Sequence, residues 1–211
     1  MRDENHGAIM IVVRLLLALI LLLGAACSKP PALVPLSPEA TVLAFGDSLT
    51  FGTGAGETES YPAVLSAMIG RKVVNAGIPG ELSAAGAARL PEVLEREKPA
   101  LLILCHGGND LLRRQDQGAL AENLRAMVRA SRAQGVEVVL LAVPSLGLTL
   151  TPPPLYAELA REFALPLESR ALPQILAKNS LKSDQIHPNA DGYRQIAGAV
   201  AALLRKCGAV Q

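Results

Sequence analysis

Four short polar blocks in this chain carry the residue types that acyl-transfer chemistry uses. Gly46-Asp47-Ser48-Leu49-Thr50 offers a hydroxyl, Asn75-Ala76-Gly77 a glycine, Gly107-Gly108-Asn109-Asp110 a side-chain amide, and Asp184-Gln185-Ile186-His187 a carboxylate three residues before an imidazole. A hydroxyl acts as a nucleophile only when a base takes its proton, and the base needs a partner that orients it. His187 lies in a polar loop, and a tight turn brings the Asp184 carboxylate to one of its nitrogens, leaving the other to face a site. Taken alone, the same pattern also reads as two solvated polar groups before a helix. A developing oxyanion needs donors, and the Ser48 and Gly77 N–H groups with the Asn109 amide are candidates. A glycine at 77 permits close approach of backbone to substrate. Gly77 and the Gly107-Gly108 pair also read as turn residues at strand ends, and Asn109 as a loop cap.

These blocks need elements to hold them. Apolar runs at 41–45, 72–77, 100–106 and 136–143, with a weaker one at 164–169, alternate with stretches of helical character at 61–69, 82–97, 117–134, 155–163 and 189–205. Continuous apolar strands separated by helices point to a parallel sheet covered on both faces. The expected fold is a three-layer α/β/α domain with a flavodoxin-like, five-stranded parallel sheet. In such sheets sites gather at the carboxyl ends of the strands, near a switch in strand order. Ser48, Gly77 and Asn109 follow the first three strands, and Asp184 and His187 follow the fifth, so all five fall on one edge. His106 closes an apolar strand and is expected to pack or hydrogen-bond locally. Asp47 and Asp110 are expected to accept backbone N–H bonds that hold the Ser48 and Asn109 loops.

In this order the blocks GDSLT, N-A-G, GGND and D-x-x-H resemble the four blocks of the SGNH (GDSL) hydrolases, closest to the bacterial multifunctional thioesterase/lysophospholipase/arylesterase branch. The similarity runs over about residues 41–205 and includes Tyr61-Pro62-Ala63, ARLPEVLEREKPALLIL and the final helix. The resemblance implies Ser48 as nucleophile, His187 as general base and then acid, Asp184 as its orienting partner, and Ser48, Gly77 and Asn109 as the oxyanion hole. It implies a serine esterase acting on acyl esters, thioesters, lysophospholipids or aryl esters through an acyl-enzyme, with no cofactor and no metal. An O-acetyl esterase on polysaccharide and a catalytically inactive surface-binding lipoprotein are the alternatives. The loop and helix start at 145–156 are apolar for a solvated segment. Leu146, Leu148, Leu150, Leu155 and Tyr156 either line an acyl pocket or pack on the domain.

Composition narrows the partners. The 211 residues carry 20 Lys+Arg against 19 Asp+Glu, with three Phe, three Tyr and no Trp. A nucleic-acid binder needs a basic face and stacking aromatics; the balanced charge and the few aromatics argue against one, and the expected partner is a small-molecule or lipid ester. The Gly52-x-Gly54-x-Gly56 pattern lacks the lysine of a phosphate loop and the spacing of a dinucleotide fingerprint. The chain is expected to be a monomer or small oligomer.

The first residues read as an address. Arg14 precedes the unbroken apolar run Leu15 to Leu23, followed by Gly24-Ala25-Ala26-Cys27. This matches a secretory signal over residues 1–26, and Met10 offers a cleaner start than Met1. The exit LLLGAACSK resembles a bacterial lipoprotein signal with Cys27 as the lipidated first residue, though Gly24 stands where that family has a larger apolar residue. Residues 27–39 then read as a Pro-rich spacer and 40–207 as the hydrolase domain. The expectation is an exported, periplasmic protein, tethered to a membrane through Cys27 or otherwise secreted.

Overall fold

The computed structural model describes residues 31–147 and 149–211. The signal segment, Cys27 and Leu148 lie outside them. Five parallel strands, β1 (Thr41–Gly46), β2 (Lys72–Gly77), β3 (Leu101–Cys105), β4 (Glu137–Leu141) and β5 (Leu167–Glu168), form one sheet in the order β2-β1-β3-β4-β5. The order reverses between β1 and β3, the point at which such sheets open a crevice at their carboxyl ends.

β1 and β3 are the spine of the core. Val42 to Phe45 and Leu101 to Cys105 are all buried, which is why both read as continuous apolar runs. Each fully buried leucine or phenylalanine contributes about 1.5–3 kcal/mol. The core therefore holds the ends of β1 and β3 firmly where Ser48 and Asn109 begin.

Helices cover both faces. Helix α1 (Ser48–Phe51) and helix α2 (Tyr61–Ile69) precede β2, and α3 (Ser83–Glu97) leads to β3. Helix α4 (Gly108–Leu112) and α5 (Gln117–Ala133) lead to β4, and α6 (Pro154–Glu162) to β5. Helices α7 (Ala171–Leu176) and α8 (Ala190–Lys206) complete the chain. Helix α2 packs on α8, and α3 on α5. Helix α5 shows how sequence sets each one. The Asp116 carboxylate accepts the Ala119 N–H at 2.7 Å as an N-cap. Leu120, Leu124, Met127 and Val128 form a buried stripe at helical spacing. Gly135, with φ 74°, ends the segment.

Four features depart from the sequence reading. The segment after β1 is one helical turn, α1, rather than open loop. Asp47 Oδ1 accepts the Leu49 N–H at 3.1 Å, and Gly52, at φ 99°, closes the turn. β5 shrinks to two residues, and the short helices α4 and α7 carry too few turns to show a periodicity. The last difference concerns the Pro-rich stretch. Leu33 and Leu36 are buried, and their N–H groups bond the carbonyls of Cys207 and Ala209 at 2.8 Å each. The second half of the expected spacer therefore lies on the domain, whose packing extends to Ala209. Helix α8 begins beside His187 and runs back across the sheet, so this attachment sits on the edge opposite Ser48.

Candidate active site

Ser48 is the first residue of α1. Its N–H points out of a helix start with no intrahelical partner, and its Oγ lies 3.0 Å from His187 Nε2. The Asp184 carboxylate builds the opposing loop. Its Oδ1 accepts the backbone N–H groups of Ile186 and His187 at 2.8 Å each, a turn that fixes the imidazole's approach. Its Oδ2 lies 2.7 Å from His187 Nδ1. Because an ionised carboxylate only accepts, the proton on His187 sits at Nδ1 and the Nε2 lone pair faces the Ser48 hydroxyl. Burial pushes the Asp184 pKa up, but the bonds from His187 and from the Ile186 and His187 amides outweigh it and hold the carboxyl below its ordinary value. Asp184 thus stays ionised beside the imidazole.

The His187 loop is held from three sides. The Ser183 N–H bonds the His187 carbonyl at 3.0 Å. Asn189 caps α8 through the Gly192 N–H at 3.0 Å and donates its amide to the Ser180 carbonyl at 2.9 Å. The glycine loop after α1 presses against it: a Cβ at Gly54 would collide with Ser183 Oγ and the Pro188 carbonyl. The Tyr193 hydroxyl donates to the Thr53 carbonyl at 2.8 Å. The glycines that resemble a phosphate loop in sequence therefore dock the Ser48 turn onto the His187 loop.

Asn109 lies on α4, directly after β3. Its Nδ2 donates to the Glu81 carbonyl at 3.1 Å. Asp110 is buried and reaches across to the start of α3, accepting the Ser83 N–H at 2.9 Å and its hydroxyl at 2.6 Å. Asp47 is buried behind Ser48; burial raises its pKa, with His106 opposing. Its Oδ2 has no hydrogen-bond partner within the described residues, and the Gly108 backbone packs against it.

Gly77 does not join this group. Its N–H is donated to Asn75 Oδ1 at 3.0 Å. Gly77 lines a different hollow, with Phe51, Gly52, Val73 and Asn75. The neighbouring glycine of the same loop, Gly80, is placed otherwise. It has φ 78°, and among the described residues its N–H has no protein acceptor. It adjoins Glu81, the residue whose carbonyl holds Asn109. The two glycines are three residues apart and alike in sequence; the signal for Gly80 was its place at the turn into α3.

Ser48, Asn109 and His187 line a small apolar hollow of about 30 Å³ with Leu112, Val143, Pro144, Leu146, Leu176 and Ile186. Of the apolar residues expected at an acyl wall, Leu146 lines it and Leu150 does not. Leu155 and Tyr156 face inward from α6 and are buried in the core. The Tyr156 hydroxyl donates to the His106 carbonyl at 2.8 Å. An amphipathic helix start therefore accounts for the apolar character of both.

Comparison with known proteins points to one family. The model of the GDSL-like lipase/acylhydrolase family matches residues 44–195. The chain is 40% identical over 120 residues to Esterase TesA of Pseudomonas aeruginosa, a stretch spanning 53% of this chain and 60% of that one. It is 32% identical over 173 residues to Thioesterase 1/protease 1/lysophospholipase L1 of Escherichia coli, spanning 78% of this chain and 83% of the relative. The crystal structure of TesA matches with a TM-score of 0.71 at 30% identity, over 79% of this chain and 99% of that chain. The family match takes in strands β2 to β5, the end of β1 and the segments that carry Ser48, Asn109, Asp184 and His187, and this chain belongs to the GDSL-like lipase/acylhydrolase family.

Proposed function

We propose that this chain is a serine esterase that cleaves carboxylic esters and thioesters through an acyl-enzyme on Ser48. The observation that carries the reading is the chain of contacts from Ser48 Oγ to His187 Nε2 at 3.0 Å and from His187 Nδ1 to Asp184 Oδ2 at 2.7 Å, at the mouth of an apolar hollow. Ser48 Oγ attacks the substrate carbonyl as His187 Nε2 takes its proton. Asp184 holds the imidazole and stabilises the imidazolium. The oxyanion rests on the Ser48 N–H, the Asn109 amide and the Gly80 N–H, which takes the place expected for Gly77. Collapse expels the alcohol or thiol, protonated by His187, and water then releases the acid by the same steps in reverse.

Esterase, thioesterase and lysophospholipase activities are named for the relatives, and the substrate here belongs to that range. A hollow of about 30 Å³ leaves room for at most a short acyl group, and a longer chain must lie across Leu112 and Leu146, both exposed. The same small hollow favours the second reading, an O-acetyl esterase. Initial rates on p-nitrophenyl esters from acetyl to palmitoyl, with Ser48→Ala as the blank, test the proposal. Activity that vanishes in the variant supports it, and the profile separates the two readings. Equal rates in both proteins overturn it.

The protein is exported on this reading, with Cys27 as a lipidated residue. Because Leu33 and Leu36 attach to the edge opposite Ser48, a tether at Cys27 would enter the domain on that edge.

A further inference from the structure

His106 is fully buried at the end of β3 and both ring nitrogens are engaged. Nδ1 accepts the Gly107 N–H at 2.9 Å, so the ring proton sits on Nε2, which lies 3.1 Å from Glu81 Oε2. Glu81 is also gripped by Arg89, with Nε to Oε1 and Nη2 to Oε2 at 2.8 Å each. Arg89 in turn lies over the Phe45 ring, 4.1 Å from its centroid, and donates to the Ala76 carbonyl at 3.1 Å. Burial raises the Glu81 pKa, but the bonds from His106 and Arg89 more than offset it and hold it at about 2, so the carboxylate is ionised. Helix α3 leaves the space for this ring, because a Cβ at Gly86 would collide with His106 Nε2.

The two residues that His106 binds lead to the two loops that supply donors. Gly107, at φ 107°, caps α4, which carries Asn109. Glu81 follows Gly80 and presents the carbonyl that holds Asn109 Nδ2 at 3.1 Å. We propose that His106 is a positioning residue for the oxyanion hole: it ties the 80–82 loop to the 107–109 turn and so sets the spacing of the Gly80 and Asn109 donors. The inference rests on the oxyanion role proposed above. It extends that reading to a buried imidazole that never touches substrate.

Leucine fills a similar volume at a strand end but makes neither ring bond. His106→Leu removes both ring bonds and leaves the two loops joined through Asn109 to Glu81 and Asp110 to Ser83, with less to fix their spacing. Losing one oxyanion donor costs about 10²–10³ in rate, and a displaced donor costs part of that, about tenfold in kcat with KM little changed. The experiment is a cycle of wild type, His106→Leu, Asn109→Ala and the double variant on p-nitrophenyl butyrate, with thermal unfolding of each. Should His106→Leu fail to fold, Gly86→Ala replaces it in the cycle, pushing the ring off Glu81 from outside.

If His106 acts by holding the Asn109 and Gly80 donors at their spacing, its loss costs about tenfold in the wild-type background and clearly less once Asn109 is gone, the remainder reporting Gly80. Equal losses in both backgrounds, or a lowered melting temperature with kcat intact, overturn the proposal and leave the Ser48 reading standing. Wild-type activity that persists in Ser48→Ala instead removes the reading on which the proposal rests.

Discussion

Gly54 and Ser183 share one space. The backbone at Gly54 is left-handed, with φ 98°, and the side chain it lacks would collide with Ser183 Oγ and the Pro188 carbonyl. This contact joins the turn that carries Ser48 to the loop that carries His187, two segments far apart in sequence.

Replacing Gly54 should therefore damage catalysis without touching a reacting group. Gly54→Ala faces both a left-handed backbone, a cost of about 1–2 kcal/mol, and the collision with the His187 loop. Moving a catalytic group by about 1 Å costs roughly 10²-fold. The expected result is a kcat lowered about 10- to 100-fold and a reduced melting temperature. A wild-type kcat would show that the two loops are positioned independently.

Asp184 performs two jobs through its two oxygens, and the jobs are separable. Asp184→Asn keeps an oxygen for the Ile186 and His187 N–H groups, so the turn survives, but it loses the acceptor opposite Nδ1. Its kcat should fall about 10²–10⁴-fold with a melting temperature close to wild type. Asp184→Ala should fall as far in kcat and also lose stability, about 1 kcal/mol for each bond to the turn. Steady-state rates and thermal unfolding of the pair read the difference.

The sheet and the shared edge of Ser48, Asn109 and His187 are legible because β1, β3 and β4 are buried on both faces and so are almost wholly apolar. Two kinds of detail are not. Leu155 and Tyr156 look like a pocket wall in sequence, because an inward helical face and a ligand face have the same composition. Gly77 and Gly80 are alike in sequence but differ in backbone conformation and in what their amides meet. Gly77 is followed by two residues before the turn and finds Asn75, whereas Gly80 sits at the turn itself. His106 showed as an apolar-strand residue, and nothing in the spacing linked it to Glu81, 25 residues away in sequence.

Glu81 gives the fold an acid limit. Its folded pKa is about 2 against an ordinary value of 4.5. A depressed carboxyl pKa contributes stability that is present above the unfolded value and lost as pH falls toward the folded one. The contribution is bounded by about 3 kcal/mol at neutral pH. Urea unfolding at pH 7, 4 and 3 should show wild type losing its advantage over Glu81→Gln as the pH drops. An advantage that is constant across the three values would mean the carboxylate is not held in its ionised form by Arg89 and His106.

Leu146 is the part of the acyl wall that is open to change, being 42% exposed and lining the hollow beside Ser48. Leu146→Ala widens the hollow where a longer chain must pass. The ratio of kcat/KM for decanoyl over acetyl p-nitrophenyl esters should rise severalfold, about what one or two methylenes are worth in an apolar pocket. An unchanged ratio would place the acyl chain elsewhere.

On this reading His187 makes Ser48, alone among the hydroxyls, a nucleophile. Intact-mass analysis after treatment with an organophosphonate, followed by peptide mapping, tests it directly. The expected result is one adduct per chain, on Ser48, abolished in Ser48→Ala and slowed at least about 100-fold in His187→Ala. Labelling of another residue, or none in an active enzyme, would contradict it.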